Sequence, residues 1–212
     1  MTSRVRIKFC GITRVRDAQA AVALGVDAIG IVLTRHSARF VDPDRAASIR
    51  AAIPPFVACV ALFMNDDPDW IHECITALSP DLLQFHGDEQ AEHCTCYDRA
   101  YLKAVAMNGG DDPVEIAAAH PAAAGFLLDG QAAGEQGGSG KVFDWRRVPQ
   151  GLNRPLILAG GLTCDNVASA IRMVRPFAVD VSSGIESAPG VKDAVMMRRF
   201  VDAVRAGDSY AG

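Results

Sequence analysis

The sequence has no Cys-x-x-Cys pair, no dense run of lysine and arginine, no low-complexity tract and no apolar stretch of membrane-spanning length. Its longest apolar run, Phe56 to Met64, is nine residues, about half of what a membrane helix needs. No membrane partner is expected. The formal net charge is −4, so there is no basic footprint for a phosphate backbone and no nucleic-acid partner is expected. The six cysteines, at 10, 59, 74, 94, 96 and 164, lack the paired spacing of a zinc or redox motif and read as reduced thiols. His93-Cys94-x-Cys96 is too short a cluster for a structural zinc site. No metal is expected. Arg4, Arg6 and Lys8 interrupt the first residues, which excludes a secretory core there and predicts a cytoplasmic protein.

What is present is alternation. Short runs rich in Val, Ile, Leu and Phe occur at Arg6–Cys10, Ala28–Leu33, Phe56–Phe63, Leu82–His86, Tyr101–Met107, Gly125–Asp129, Pro155–Ala159 and Ala178–Ser182. Their starts advance by roughly 25 residues, the length of one strand, one helix and two short connections. Near-continuous apolar strands imply a parallel sheet covered on its outer face. The stretches Thr13–Leu24, Asp44–Ile53, Pro68–Leu78, Thr163–Val174 and Val191–Val204 place apolar residues near helical spacing. Eight strand–helix units in 212 residues predict an α/β fold, a single (β/α)8 TIM barrel over residues 1–212, rather than a doubly wound sheet of five or six strands. The polar Gly130–Lys141 stretch reads as one long loop.

A barrel of this kind works at the C-terminal ends of its strands, so the chemistry is sought there. Glycine- and hydroxyl-rich turns follow the last three strands: Gly137-Gly138-Ser139-Gly140-Lys141, Gly160-Gly161 and Ser182-Ser183-Gly184. Glycine lets backbone N–H groups approach an anion, and three such turns together suggest a phosphate cradle, where one alone would be an ordinary tight turn. The spacing around Gly140-Lys141 does not match a nucleotide-binding P-loop, which would need glycine at Glu135 and a hydroxyl at Val142. Asp129 ends an apolar strand, a setting that favours the protonated carboxyl of a general acid; a turn cap or an ion pair is the other reading. Cys10 ends the first strand and is either a buried structural thiol or a reactive one. Lys8 lies on the same side two residues back and would supply the charge a thiolate needs. In the loop after the second strand, Arg35 and Arg39 each offer a guanidinium fork suited to a carboxylate.

Lys8-Phe9-Cys10-Gly11-Ile12-Thr13, Leu83-Gln84-Phe85-His86-Gly87, Leu127-Leu128-Asp129, Gly137–Trp145, Leu158-Ala159-Gly160-Gly161-Leu162 and Val179-Asp180-Val181-Ser182-Ser183-Gly184 closely resemble the signature segments of the phosphoribosylanthranilate isomerases, in order and in spacing. The resemblance spans nearly the whole chain. It implies an Amadori rearrangement of N-(5′-phosphoribosyl)anthranilate in tryptophan biosynthesis, with a phosphorylated aminosugar as substrate and no cofactor. By the matched positions it implies Asp129 as general acid, Cys10 as general base and Arg39 as the grip on the substrate carboxylate. It also implies Gly160, Gly161, Ser183 and Gly184 around the phosphate, with Lys8, Gln84, His86 and Asp180 lining the pocket. The sequence departs from the family at Leu33-Thr34-Arg35-His36, which leaves Arg35 as a competitor of Arg39, and at Cys164, where Thr163 is the expected cap of the seventh helix. Two alternatives stay in view: another phosphosugar-binding barrel isomerase and a catalytically silent phosphate-ligand sensor. A Schiff-base aldolase would need a strand-end lysine, and the only strand lysines are Lys8 and Lys103. The oligomeric state, monomer or homodimer, is open.

Overall fold

Apolar runs too short to be helices become strands, and the segments between them become the helices that cover their outer face. The computed structural model describes residues 4–110, 112–130 and 141–209. The strands are β1 (Arg6–Phe9), β2 (Ala28–Val32), β3 (Ala58–Phe63), β4 (Leu82–Phe85), β5 (Tyr101–Ala106), β6 (Gly125–Asp129), β7 (Leu156–Leu158) and β8 (Ala178–Val181). They form a closed parallel barrel in sequence order, with β8 pairing back onto β1. The helices are α1 (Val15–Ala23), α2 (Pro43–Arg50), α3 (Pro68–Leu78), α4 (Ala91–Thr95), α5 (Pro113–Ala119), α6 (Val167–Val174) and α7 (Ala194–Ser209).

Three helices start the same way. Asp42, Asp67 and Asp112 each precede a proline, and each carboxylate accepts a backbone N–H of the first turn, from Arg45, Asp69 and Val114. Aspartate satisfies an orphan donor while proline, which has none, occupies the first helical position. The expected strand at Phe56–Phe63 begins later, at Ala58, because Pro54-Pro55 lead into a turn in which Phe56 has φ +71° and is fully exposed. The expected helix from Val191 is also displaced. Pro189-Gly190 turn the chain back, so that β9 (Glu186–Ala188) pairs with β10 (Val191–Lys192), and α7 begins only after Asp193 caps it. At α6 the helix starts at Val167 rather than Thr163; the Thr163 hydroxyl accepts from Asp165 N–H and holds the turn that leads in. Among the described residues between β6 and β7 there is only a 3-10 turn, Trp145–Arg147. Most of the long loop expected there lies outside the described residues.

The two-residue period of the strands sorts their side chains into two layers. Ile7, Phe9, Ile29, Ile31, Phe63, Phe85, Phe126, Leu128 and Val179 belong to the large core between strands and helices. Leu102, Ala104, Leu127, Ile157, Ala159 and Ala178 plug one part of the barrel interior, and Cys10, Val60 and Leu62 another. Lys8, Gln84, His86, Asp129 and Asp180 share the parity of the interior set. The polar residues are therefore stacked on an apolar plug, at the end where the strands finish. Lys103 has the opposite parity and pairs outside the barrel with Glu89, at 3.0 Å, so it does not serve the mouth.

Candidate active site

The interior residues nearest the strand ends surround one cavity that is partly open to solvent. Cys10 and Asp129 both line it, as do Arg39, His86, Asp180 and the turns Gly160-Gly161 and Ser183-Gly184. Cys10 is fixed by its N–H donating to Val181 O at 2.9 Å. Beneath it stands Gly30, where a methyl group would come within 2.9 Å of Cys10 Sγ; the space for the thiol is made by a missing side chain. Across the mouth, Asp129 is 6% exposed, and its Oδ2 lies 3.3 Å from His86 Nε2. Gln84 is fully buried one layer down, with Nε2 3.1 Å from His86 Nδ1. Gln84 and Lys8 do not themselves line the cavity; they reach it through His86 and Asp180.

The barrel register puts Lys8 opposite Asp180, and the two meet at 2.9 Å with both side chains buried. Burial works against the Lys8 charge, yet Asp180 and Cys10 outweigh it and hold the ammonium above its ordinary value. The thiol behaves otherwise than expected from the sequence. Burial pushes Cys10 above the usual thiol range and Asp180 adds to this, while Lys8 and Lys192 pull it back only in part. Lys8 is shared between Asp180 and the thiol, and burial, the largest influence, favours the neutral thiol in the resting site.

The glycine turns expected to hold an anion adjoin these two residues, Gly160-Gly161 beside Asp129 and Ser183-Gly184 just past the Val181 carbonyl that accepts from Cys10 N–H. Gly160 has φ +79°, and a side chain there would strike Gly130 N and approach Asp129 Oδ1, so the turn is restricted to glycine by conformation and by space. Asn166 accepts from Thr163 N–H and donates to Gly161 O, which holds this turn in shape. Ser183-Gly184 sit in a short 3-10 turn after β8. The glycines at 137–140 lie outside the described residues.

The two candidate arginines separate. Arg35 is exposed and stacks on Trp70, its guanidinium carbon 3.7 Å from the ring centroid. Arg39 lines the cavity and forms a two-point pair with Glu186 at 2.9 and 2.7 Å. Glu186 and its second partner Lys192, at 2.8 Å, were not singled out by the sequence. The available signal was chemical: a guanidinium at the edge of a buried cavity needs a counter-ion, and Glu186, on β9, is one of two acids between β8 and α7. Burial would raise the Glu186 carboxyl, but Arg39 and Lys192 together bring it below its usual value. Among the described residues no group of three or more His, Cys, Asp or Glu side chains is placed to hold a metal ion. No helix among them is long and apolar enough to cross a membrane.

The chain matches the family model of N-(5′-phosphoribosyl)anthranilate (PRA) isomerase over residues 7–203. It is 56% identical over 201 residues to the N-(5′-phosphoribosyl)anthranilate isomerase of Pseudomonas aeruginosa, with 95% of each chain covered. Its fold is similar to that of a phosphoribosylanthranilate isomerase crystallised with reduced 1-(o-carboxyphenylamino)-1-deoxyribulose 5-phosphate (TM-score 0.80, 35% identity, 95% of this chain and 98% of that one). A crystal structure of monomers of the dimeric enzyme from Thermotoga maritima matches at the same TM-score, 0.80, with 35% identity and 95% and 98% coverage.

Proposed function

The chain belongs to the N-(5′-phosphoribosyl)anthranilate isomerase family, and from that premise we propose that its reaction runs between Asp129 and Cys10 across the barrel mouth. The activity is the Amadori rearrangement of N-(5′-phosphoribosyl)anthranilate to 1-(2-carboxyphenylamino)-1-deoxyribulose 5-phosphate, a step of tryptophan biosynthesis. Asp129 donates a proton to the ribose ring oxygen, the C1′–O bond breaks, and the nitrogen lone pair forms an iminium ion. Cys10, as the thiolate left when its own proton passes to solvent, then removes the C2′ proton, the electron pair neutralises the iminium, and the enolamine tautomerises to the ketone. Arg39 takes the anthranilate carboxylate, and the turns at Gly160-Gly161 and Ser183-Gly184 take the phosphate.

The carrying observation is that Cys10 and Asp129 line one cavity with those turns. Cationic groups compensate for the neutral resting thiol. Lys8 and Lys192 already favour the thiolate, and the iminium adds a positive charge beside Sγ at the moment a base is required. His86 stands beside Asp129, its Nε2 3.3 Å from Oδ2 without a hydrogen bond, and Gln84 contacts its other ring nitrogen. A reducing, cytoplasmic setting belongs to the same proposal, since the six cysteines have no paired spacing in the sequence. Monomer and homodimer both fit a family that includes a dimeric enzyme.

The test is to mix the protein with freshly made phosphoribosylanthranilate and follow its fluorescence. Loss of signal at an enzymatic rate is expected; an unchanged signal at micromolar enzyme would refute the assignment.

A further inference from the structure

Arg39, the expected grip on the substrate carboxylate, is already engaged. Its Nε–H donates to Glu186 Oε1 and its Nη2 to Oε2. A guanidinium has a second fork, formed by Nη1 and the remaining Nη2 hydrogen, which can still hold a carboxylate by two parallel bonds. Glu186 thus selects which edge is left for a ligand. It is saturated in doing so, since Oε1 also accepts from Lys192 Nζ at 2.8 Å and from Gly190 N–H at 3.3 Å. Charge decides the rest. Arg39 and Glu186 alone would be a neutral pair with little attraction for an anion; Lys192, whose side chain is fully buried, adds a third group to the trio, its ammonium favoured by Glu186 and Cys10 although burial brings it below its ordinary value. Lys192 also donates to Ser182 O at 3.0 Å, immediately before the Ser183-Gly184 turn. One hairpin therefore braces both anion-binding ends of the cavity.

We propose that Glu186, braced by Lys192, is the positioning residue that fixes the free edge of Arg39 and thereby the preference of the site for a carboxylate on the aromatic ring. The inference rests on the assignment of Arg39 to that carboxylate. Its test compares two ligands by calorimetry: reduced 1-(o-carboxyphenylamino)-1-deoxyribulose 5-phosphate and the same molecule without the ring carboxylate. In Glu186→Gln the first should bind about tenfold or more weakly, the loss expected for a displaced charge-assisted fork. The second should change less than about threefold. Equal weakening of both, the mark of a loop brace only, overturns the proposal, as does no change in either. A crystal structure of the unaltered protein with the carboxylate ligand gives a reading free of any folding defect in the variant. Arg39 Nε and Nη2 should remain on Glu186 with the carboxylate on the opposite edge; a carboxylate that has displaced Glu186 overturns it. Wild-type turnover separates the two failures: without it the parent assignment falls, whereas turnover with an unshifted ligand ratio removes only the role of Glu186.

Discussion

At Cys10 one atom carries two opposed demands: it must be desolvated enough to sit against the sugar, yet able to lose its proton. Burial and Asp180 win in the resting site and place the thiol above its ordinary value of 9.0. Alkylation of Cys10 by iodoacetamide, followed at that residue by mass spectrometry, should therefore speed up with pH and continue to do so beyond about pH 9; a plateau reached below pH 8 would contradict the neutral resting thiol. Cys10→Ala and Asp129→Asn should each lower kcat by at least ~10²-fold, the usual scale for a lost acid or base. Arg39→Ala should act chiefly through KM, while Arg35→Ala, which loses only its stack on Trp70, should leave KM within about twofold; steady-state kinetics checks both. Cys10 and Asp129 were legible because each ends an apolar strand, where parity and position are fixed by the two-residue period. Glu186 was not, because its importance lies in a pair with Arg39, 147 residues away in sequence.

Local elements explain why these groups stay in place. The Asp-Pro starts of α2, α3 and α5 are readable from the sequence, and their caps carry measurable stability. Asp67→Ala removes the acceptor for Asp69 N–H and should cost about 1 kcal/mol, seen as a fall in Tm of roughly 2–4 °C in a chain of this size. Gly160→Ala should be worse in two respects. Its positive φ is unfavourable to alanine by ~1–3 kcal/mol, and the added methyl would press on Gly130 N and Asp129, so stability and turnover should fall together; normal activity in that variant would show that the turn adapts. The β9–β10 hairpin escaped the sequence reading because Val191 and Lys192 continue in register with the apolar spacing of α7. Only the Pro189-Gly190 turn and the Asp193 cap mark where one element stops and the other begins.

For the molecule as a whole, closure is what brings the first and sixth strands to one mouth. The register that pairs β1 with β8 also pairs Lys8 with Asp180, so the step that closes the barrel completes the charge layer beneath the cavity. With eight strands in one continuous ring, the chain should unfold as a single unit, with calorimetric and van't Hoff enthalpies in agreement; two resolved transitions would instead divide the 212 residues into separate domains. The eightfold spacing made the barrel legible. Its mouth was less so, since the loop contacts across it join residues that no local pattern connects.

The central claim is that Asp129 and Cys10 act on one bound sugar. Single-turnover stopped-flow fluorescence of phosphoribosylanthranilate, with enzyme in excess, tests it most directly. The wild type should consume the substrate in one rapid phase, and Cys10→Ala and Asp129→Asn should each slow that phase by at least ~10²-fold while binding the reduced product analogue nearly as well as the wild type. A phase within tenfold of wild type in either variant would contradict the claim.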